Sequence, residues 1–137
     1  MRGILCLCGS TRFREQFEEV NRRLTWSGWI VLSVGSFHHS EKDHSVADQI
    51  IKRKVKLDAL HKEKIALSQA IVVIDVNGYI GKSTISEMEH AIKLGKQIYT
   101  YEYNTLGLPF PDHEKVNWPH WSKLLDESPD DLEVAPK

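Results

Sequence analysis

Residues 70–101 read AIVVIDVNGYIGKSTISEMEHAIKLGKQIYTY, and this stretch decides the fold of the chain. The apolar, β-branched run at 71–76 predicts a strand covered on both faces, and a glycine-bearing loop over 77–82 follows it. We predict a helix that begins at Ser83 or Thr84 and a second strand over residues 97–101. In an open α/β sheet built from such units, ligands bind at the carboxyl edge of the strands.

Glu87 stands just beyond that edge, and two interpretations of it are open. Ile85, Met88 and Ile92 recur at i, i+3 and i+7, which predicts a core-facing stripe, and Glu87 lies off this stripe in the first turn of the helix. Thr84 and Glu87 fit the S/T-x-x-E capping box, in which the glutamate only satisfies an amide. Alternatively, the helix dipole keeps the carboxylate ionised, as a nucleophile at a sugar carbon must be.

The remaining chain alternates strands with helices. Residues 3–8 and 29–34 predict buried strands, and an amphipathic helix that ends near residue 27 separates them. A second helix is predicted over 47–68, with its apolar positions at Ile50, Ile51, Val55, Leu57, Leu60 and Ile65. This order predicts an α/β fold, a small doubly wound parallel sheet of four or five strands with helices on both faces.

Length and composition indicate one globular domain. The chain has 137 residues, 41% of them hydrophobic and 27% charged, with a formal net charge of −1. This balance supplies no broad field for a nucleic acid polymer or a membrane. Residues 104–119 hold three prolines, so we expect an α/β domain over 1–103. The remainder, 104–137, would be a partly ordered extension that packs on the domain or on a neighbour.

Two cysteines, Cys6 and Cys8, lie two residues apart in the first predicted strand. An extended backbone keeps their sulfurs from bridging. We expect both to stay reduced, which favours a cytoplasmic location. Together with His38, His39 and His44 they match no known zinc-ligand spacing, so the sequence predicts no metal site.

The segment Gly9, Ser10, Thr11 and Arg12 joins the first strand to the first helix. A glycine there lets the backbone approach a ligand, and the amides of the following helix point outward. Arg12 could add a bidentate contact, so the segment suits a phosphate or carboxylate. The alternative is that Ser10 or Thr11 simply caps a tight turn.

The loop before the predicted helix offers further ligand contacts. Its glycines, Gly78 and Gly81, allow positive φ and a close approach to a ligand. Tyr79, beside Asn77, either stacks on a base or donates its hydroxyl, or else is an exposed aromatic residue of a lid. Ser83 is a helix cap, a ligand contact, or both.

The second predicted helix carries a candidate acid and a candidate proton carrier. Asp58 and His61 are three residues apart and therefore share a face. If that face turns toward the cleft, Asp58 can act as an acid or base and His61 can carry a proton. The alternative is a solvated helix face, which is also the preferred interpretation of the basic run at 52–56 over contact with nucleic acid.

These motifs together resemble the nucleoside 2-deoxyribosyltransferase superfamily, which includes 2′-deoxynucleoside 5′-phosphate N-hydrolases. The resemblance rests on CGSTR at residues 8–12 and on Ser83, Thr84, Glu87 and Ala91, and it covers roughly residues 3–101. It implies a flavodoxin-like sheet, a homodimer or higher homo-oligomer, and no cofactor. It also implies that Glu87 attacks C1′ of the sugar, expels the base and forms a glycosyl ester, which water or a second base resolves.

The resemblance implies nucleosides or nucleoside monophosphates as substrates, with residues 10–12 around the 5′-phosphate. This chain departs from the pattern at three positions. Cys6 stands near a family tyrosine that assists the nucleophile, and the family's base-contacting aspartate falls later on its helix than Asp58 does. Ser83 replaces a loop glycine. A nucleotide-binding sensor that kept the fold and lost the chemistry is the alternative function.

Overall fold

The computed structural model describes residues 2–35, 47–102 and 118–126. Its sheet has four parallel strands in the order β2-β1-β3-β4, with helices on both faces, which confirms the predicted small α/β, flavodoxin-like fold. The strands are β1 (Gly3–Gly9), β2 (Trp29–Leu32), β3 (Ala70–Ile74) and β4 (Gln97–Thr100). The helices are α1 (Arg14–Trp26), α2 (Ala47–Leu67) and α3 (Lys82–Lys93).

Short 3-10 helices follow two of the strands and close the described part of the chain. They span Thr11–Phe13, Val76–Gly78 and Trp121–Leu124. The predicted loop at 36–46, with His38, His39 and His44, lies outside the described residues. So do residues 103–117 and 127–137 of the predicted extension. Among the described helices, none combines the length and the apolar character needed to span a bilayer.

The central strands β1 and β3 divide their side chains between two cores. Leu5 and Leu7 of β1 pack on α1, whereas Cys6 and Cys8 face α2 and α3, because successive side chains of a strand point to opposite faces. All five residues of β3 are buried, as the uninterrupted apolar run predicted. The α1 side of the sheet receives the apolar stripe of that helix, formed by Phe17, Val20 and Leu24.

Helix α2 departs from its predicted pattern. The predicted helix is present, but Ile51, Val55 and Leu60 among its apolar positions are 60%, 63% and 51% exposed, so they do not pack in the core of this chain. The helix meets the sheet only through its carboxyl-terminal half, where His61 and Ile65 are buried. The homo-oligomer implied by the sequence resemblance stays a prediction, which sedimentation equilibrium tests.

The described carboxyl-terminal segment, residues 118–126, packs against the sheet. Trp121 and Leu124 are buried in the core on the α1 side. The amide of Thr100 donates to the carbonyl of Pro119 at 3.0 Å, which extends the edge of β4. The indole of Trp29 donates to the carbonyl of Leu124 at 2.8 Å, so the segment is also tied to β2.

Gly9 is a glycine for a packing reason. Its φ is 153°, and a Cβ atom there would lie 3.0 Å from Cβ of Ile74 and 3.3 Å from the ring of Phe17. The end of β1 therefore approaches both β3 and α1 more closely than any other residue would allow. The glycine was predicted to let the backbone approach a ligand, whereas in the structure it lets the backbone approach the core residues Ile74 and Phe17.

We therefore expect Gly9→Ala to lower the free energy of unfolding by about 1–3 kcal/mol, because it combines backbone strain with overpacking. Urea denaturation measures this loss. Gly35→Ala is the matched control, since a Cβ atom at Gly35 meets nothing within 4 Å. Equal losses in the two variants would contradict the packing explanation.

Candidate active site

Glu87 lies in the second turn of α3, not in the first turn as predicted. The helix begins at Lys82, and Gly81 is its N-cap in an extended conformation with φ of −81°. Glu87 is thus three residues too far along the helix to complete a capping box. The capping interpretation is wrong, because the loop ends earlier than the sequence pattern suggested.

Glu87 also belongs to the core-facing side of α3. The buried residues of this helix are Thr84, Glu87, Met88 and Ala91, and Glu87 is only 9% exposed. Ile85, at the edge of this face, is only partly buried. The predicted stripe of Ile85, Met88 and Ile92 does pack against the core, with Met88 fully buried. The exclusion of Glu87 from the core-facing side was wrong, because the buried face also includes Thr84 and Ala91.

The carboxyl group of Glu87 meets side chains from β1 and α2. Its Oε1 lies 4.0 Å from Nε2 of His61, and Cys8 forms a hydrogen bond with it. Burial raises the pKa of Glu87 to about 7, and the charges of Cys6 and Asp58 raise it further, against the lowering effects of His61 and Cys8. The prediction that the helix dipole holds this group fully ionised is therefore wrong, because desolvation dominates.

Cys6, Cys8 and His61 form a buried cluster behind Glu87. Nε2 of His61 lies 3.6 Å from Sγ of Cys6, and both cysteines are free thiols. The hydrogen bond with Cys8 lowers the pKa of Cys6 to about 6, and burial raises the pKa of Cys8 well above its usual value. Burial lowers the pKa of His61, but its hydrogen bond with Cys6 and the negative charges of Cys6 and Glu87 outweigh that effect and raise it.

The predicted pair on α2 separates into a surface residue and a core residue. Asp58 is half-exposed and forms an ion pair with Nζ of Lys54 at 3.6 Å, whereas His61 is 5% exposed. The solvated-face interpretation is therefore wrong for His61. The basic run at 52–56 is exposed throughout, and its interpretation as a solvated helical surface stays a prediction.

Lys54 connects α2 to the beginning of α3. Besides its pairing with Asp58, its Nζ donates a hydrogen bond to Oγ of Ser83 at 3.1 Å. Ser83 is exposed, in the first turn of α3. Lys54 therefore brings the Asp58 and Ser83 side chains together at the surface between α2 and the start of α3.

A second group of side chains forms where the loops after β1 and β3 meet. Ser10 caps the helix Thr11–Phe13 by accepting from the amide of Arg12 at 3.3 Å, so the capping interpretation is confirmed for this residue. Its Oγ also accepts from Nε of Arg12 at 3.2 Å. The guanidinium lies 4.2 Å from the ring centroid of Tyr79 and donates to the Tyr79 hydroxyl at 3.3 Å.

These two groups share one edge of the sheet. Cys8, the partner of Glu87, precedes Ser10 by two residues, and Gly9 pairs with Ile74 at the end of β3. A Cβ atom on Gly81 would lie 3.3 Å from the Tyr79 hydroxyl, so the start of α3 also lies close to the loops that follow β1 and β3. The arrangement joins a buried carboxyl group to an exposed, pre-positioned guanidinium.

Asn77 and Gly78 lie elsewhere. Both have positive φ, 54° and 76°, which confirms the predicted freedom of Gly78. The amide of Asn77 donates to Glu102 at 2.7 Å, and Asn77 lines an open depression with Tyr101 and Trp121 on the α1 side. The structure therefore brings Tyr79 and Gly81 to the Arg12 group, whereas Asn77 borders a separate depression.

Asp75 is a buried carboxyl group that sequence reasoning missed. Its Oδ1 accepts from the amides of Tyr101 and Glu102 at 3.1 and 2.9 Å, and burial raises its pKa to about 6. It holds the chain that leaves β4 against the end of β3. A single carboxylate at the end of an apolar run was the available signal. For Cys8, the available signal was its spacing of two residues from Cys6, which puts both side chains on the same face of one strand.

No protein family and no curated protein matches this sequence. Among solved structures, the chain is similar to the CMP N-glycosidase BcmB of Clostridium botulinum, at 18% identity over 72% of this chain and 70% of that one, with a TM-score of 0.47. It is also similar to a 2-deoxyribosyltransferase of Leishmania mexicana, at 14% identity over 96% and 93% of the two chains, with a TM-score of 0.47. Similarity at this level assigns no activity to this chain.

The raised pKa of Glu87 has a consequence for stability. The folded state holds the proton more tightly than the unfolded state, so stability contributed by this group is fully present below about pH 4.5 and is lost as pH rises through about 7. We expect Glu87→Gln to remove this loss, worth on the order of 3 kcal/mol. The measurement is urea unfolding of the protein from pH 4.5 to pH 8.

Glu89→Gln provides the control on the same helix, since Glu89 is exposed. Its stability should follow the wild-type pH profile. If Glu87→Gln also followed the wild-type profile, the buried carboxyl group would not carry the pH dependence assigned to it.

Proposed function

We propose that this chain cleaves or transfers the N-glycosidic bond of nucleosides or nucleoside 5′-monophosphates, with Glu87 as the nucleophile. The observation that carries the proposal is the position of its carboxyl group. The group is buried beside His61 and Cys8 at the carboxyl edge of a parallel sheet, and it plays no capping role in its own helix. A perturbed carboxyl group at the ligand edge of an α/β sheet is a candidate for covalent catalysis.

In the proposed first step, an oxygen of Glu87 bonds to C1′ while the bond between C1′ and the base nitrogen breaks. The electron pair of that bond goes to the base, which takes up a proton as it leaves. Asp58 is the residue proposed to contact the base or to pass it this proton, since it lies half-exposed near Glu87.

In the second step, water or another base attacks C1′ and loses a proton. The ester bond breaks and the carboxylate of Glu87 is restored. Two displacements at the same carbon retain the configuration of the sugar. No cofactor is needed, because the carboxylate makes and breaks the covalent bond itself.

The pKa of about 7 suits a carboxylate that attacks carbon. A more basic carboxylate is a better nucleophile, provided that enough of it is ionised at the working pH. His61 favours the ionised form, since its charge lowers the pKa of Glu87 against the effect of burial. In this proposal His61 positions Glu87 and tunes its protonation.

We propose that residues 10–12, with Tyr79, hold the 5′-phosphate. The support is that Arg12 is pre-positioned, because Ser10 and the ring and hydroxyl of Tyr79 already orient its guanidinium. A planar guanidinium fixed in this way loses little side-chain entropy when it binds a phosphate through two parallel hydrogen bonds.

The direct test is release of free base from a panel of nucleosides and nucleoside monophosphates, followed by chromatography. We expect Glu87→Ala to lower the rate by at least about 10³-fold on every substrate the wild-type protein cleaves. Glu89→Ala is the control, because Glu89 lies two residues further along α3 and is exposed, and this variant should cleave at the wild-type rate.

An active Glu87→Ala protein would refute the proposal. A wild-type protein that releases no base from any member of the panel, yet is stabilised against heat by a nucleotide, would support the alternative, a nucleotide-binding sensor on the same fold.

Arg12→Ala should weaken binding of nucleoside monophosphates about 10-fold to 100-fold and leave free nucleosides nearly unaffected, because only the former lose a charge-assisted hydrogen bond. KM values for one nucleoside with and without its 5′-phosphate measure the difference. Arg14→Ala is the control, since Arg14 pairs with Glu18 at 3.0 Å. Equal losses on both substrates in Arg12→Ala would show that this segment does not recognise the phosphate.

A further inference from the structure

Three soft or borderline donors converge in the core behind Glu87. The sulfurs of Cys6 and Cys8 and a ring nitrogen of His61 all lie within 4.8 Å of one another. Strand alternation places both thiols on the same face of β1, and α2 delivers the imidazole from 55 residues away in the sequence. Because the donors come from distant elements, ligand spacing along the chain could not reveal the cluster.

The distance between Cys6 and His61 matches a tetrahedral zinc site. Zinc binds thiolate sulfur at about 2.3 Å and imidazole nitrogen at about 2.0–2.1 Å, so two such ligands at a tetrahedral angle lie about 3.6 Å apart. The distance between Sγ of Cys6 and Nε2 of His61 is 3.6 Å. Two thiolates and one imidazole leave the fourth position of the tetrahedron open.

Glu87 is a carboxyl group that borders this cluster on the side of His61. Its Oε1 is 4.0 Å from Nε2 of His61, and Cys8 forms a hydrogen bond with the same carboxyl group. A nitrogen and an oxygen bound to one tetrahedral zinc ion lie about 3.4 Å apart, so the Glu87 side chain must move toward the three donors to enter the coordination sphere.

The chemistry of the donors selects the type of metal. Thiolates favour zinc and other thiophilic ions over calcium or magnesium, which prefer oxygen ligands. The three donors of the cluster, two thiolates and a neutral imidazole, balance the charge of a divalent cation, which limits the cost of burying it, and a carboxylate in the fourth position adds one negative charge.

We propose that Cys6, Cys8 and His61 bind one thiophilic divalent cation of the zinc class, with Glu87 as the fourth ligand. Metal binding releases the proton of each thiol that is still protonated. An ion held in this way engages the carboxylate that the reaction needs, so the metal inhibits glycosyl transfer. The inhibition rests on the proposed function, whereas metal binding does not.

The first experiment measures binding without substrate. The metal-free protein is titrated with zinc, and separately with cobalt, whose absorption reports thiolate ligation. We expect one equivalent per chain with a thiolate-to-cobalt charge-transfer band, and affinity reduced at least about 100-fold in Cys8→Ser and in His61→Ala. His120→Ala, a change at an exposed histidine elsewhere, should bind as the wild type does.

A second measurement uses the wild-type chain alone, in case a core variant fails to fold. Alkylation of Cys6 and Cys8 under mild denaturant is followed by mass spectrometry, and zinc should protect both thiols together. Failure of the wild type to bind zinc at micromolar concentration, or equal affinity in a folded Cys8→Ser variant, would overturn the site.

A third experiment distinguishes failure of the metal proposal from failure of the proposed function. Base release by the metal-free protein should fall in step with zinc occupancy and return after chelation. Unchanged base release at full occupancy would refute Glu87 as the fourth ligand. If the metal-free protein released no base at all, the proposed function would fail while the binding titration still decided the metal site.

Discussion

The burial of one carboxyl group, that of Glu87, is the constraint on which the rest of the site depends. Removing a carboxylate from water costs several kcal/mol unless nearby groups compensate. Here the compensation comes from His61 on α2 and Cys8 on β1, because Glu87 faces the sheet and its own helix terminus lies a turn away. Three separate elements therefore set the proton affinity of a single group.

This arrangement couples the ionisation of neighbouring side chains. Cys6, Cys8, His61 and Glu87 each alter the pKa of at least one of the others, so their protons dissociate in steps that belong to the cluster as a whole. In the two proposals made above, a sugar carbon and a metal ion both engage the ionised carboxylate of Glu87. A pKa of about 7 leaves both protonation states of Glu87 populated near neutral pH, so the two kinds of ligand would compete for the ionised form.

The strands, the packing face of α1 and the parallel sheet could be predicted from sequence because their patterns are local. A run of β-branched residues at β3 and the spacing of Phe17, Val20 and Leu24 follow directly from the geometry of one strand or one helix. The juxtaposition of Ser10, Arg12 and the loop before α3 also followed, since the carboxyl ends of neighbouring parallel strands share an edge.

The environment of Glu87 could not be predicted in the same way. Its place on the core face depends on where α3 begins, and a shift of three residues in the N-cap turns a capping glutamate into a buried one. His61 is buried because only the end of α2 reaches the sheet, which no local periodicity encodes. The position of Asn77 on the other side of the sheet depends on the left-handed turn at residues 77–78.

The most direct measurement is the mass of the protein after rapid acid quenching during turnover of a cleaved substrate, followed by peptide mapping. The account predicts an added mass of one sugar, attached through an ester to the peptide that contains Glu87. Release of base at the same rate with no adduct on that peptide, or with an adduct on another residue, would contradict it.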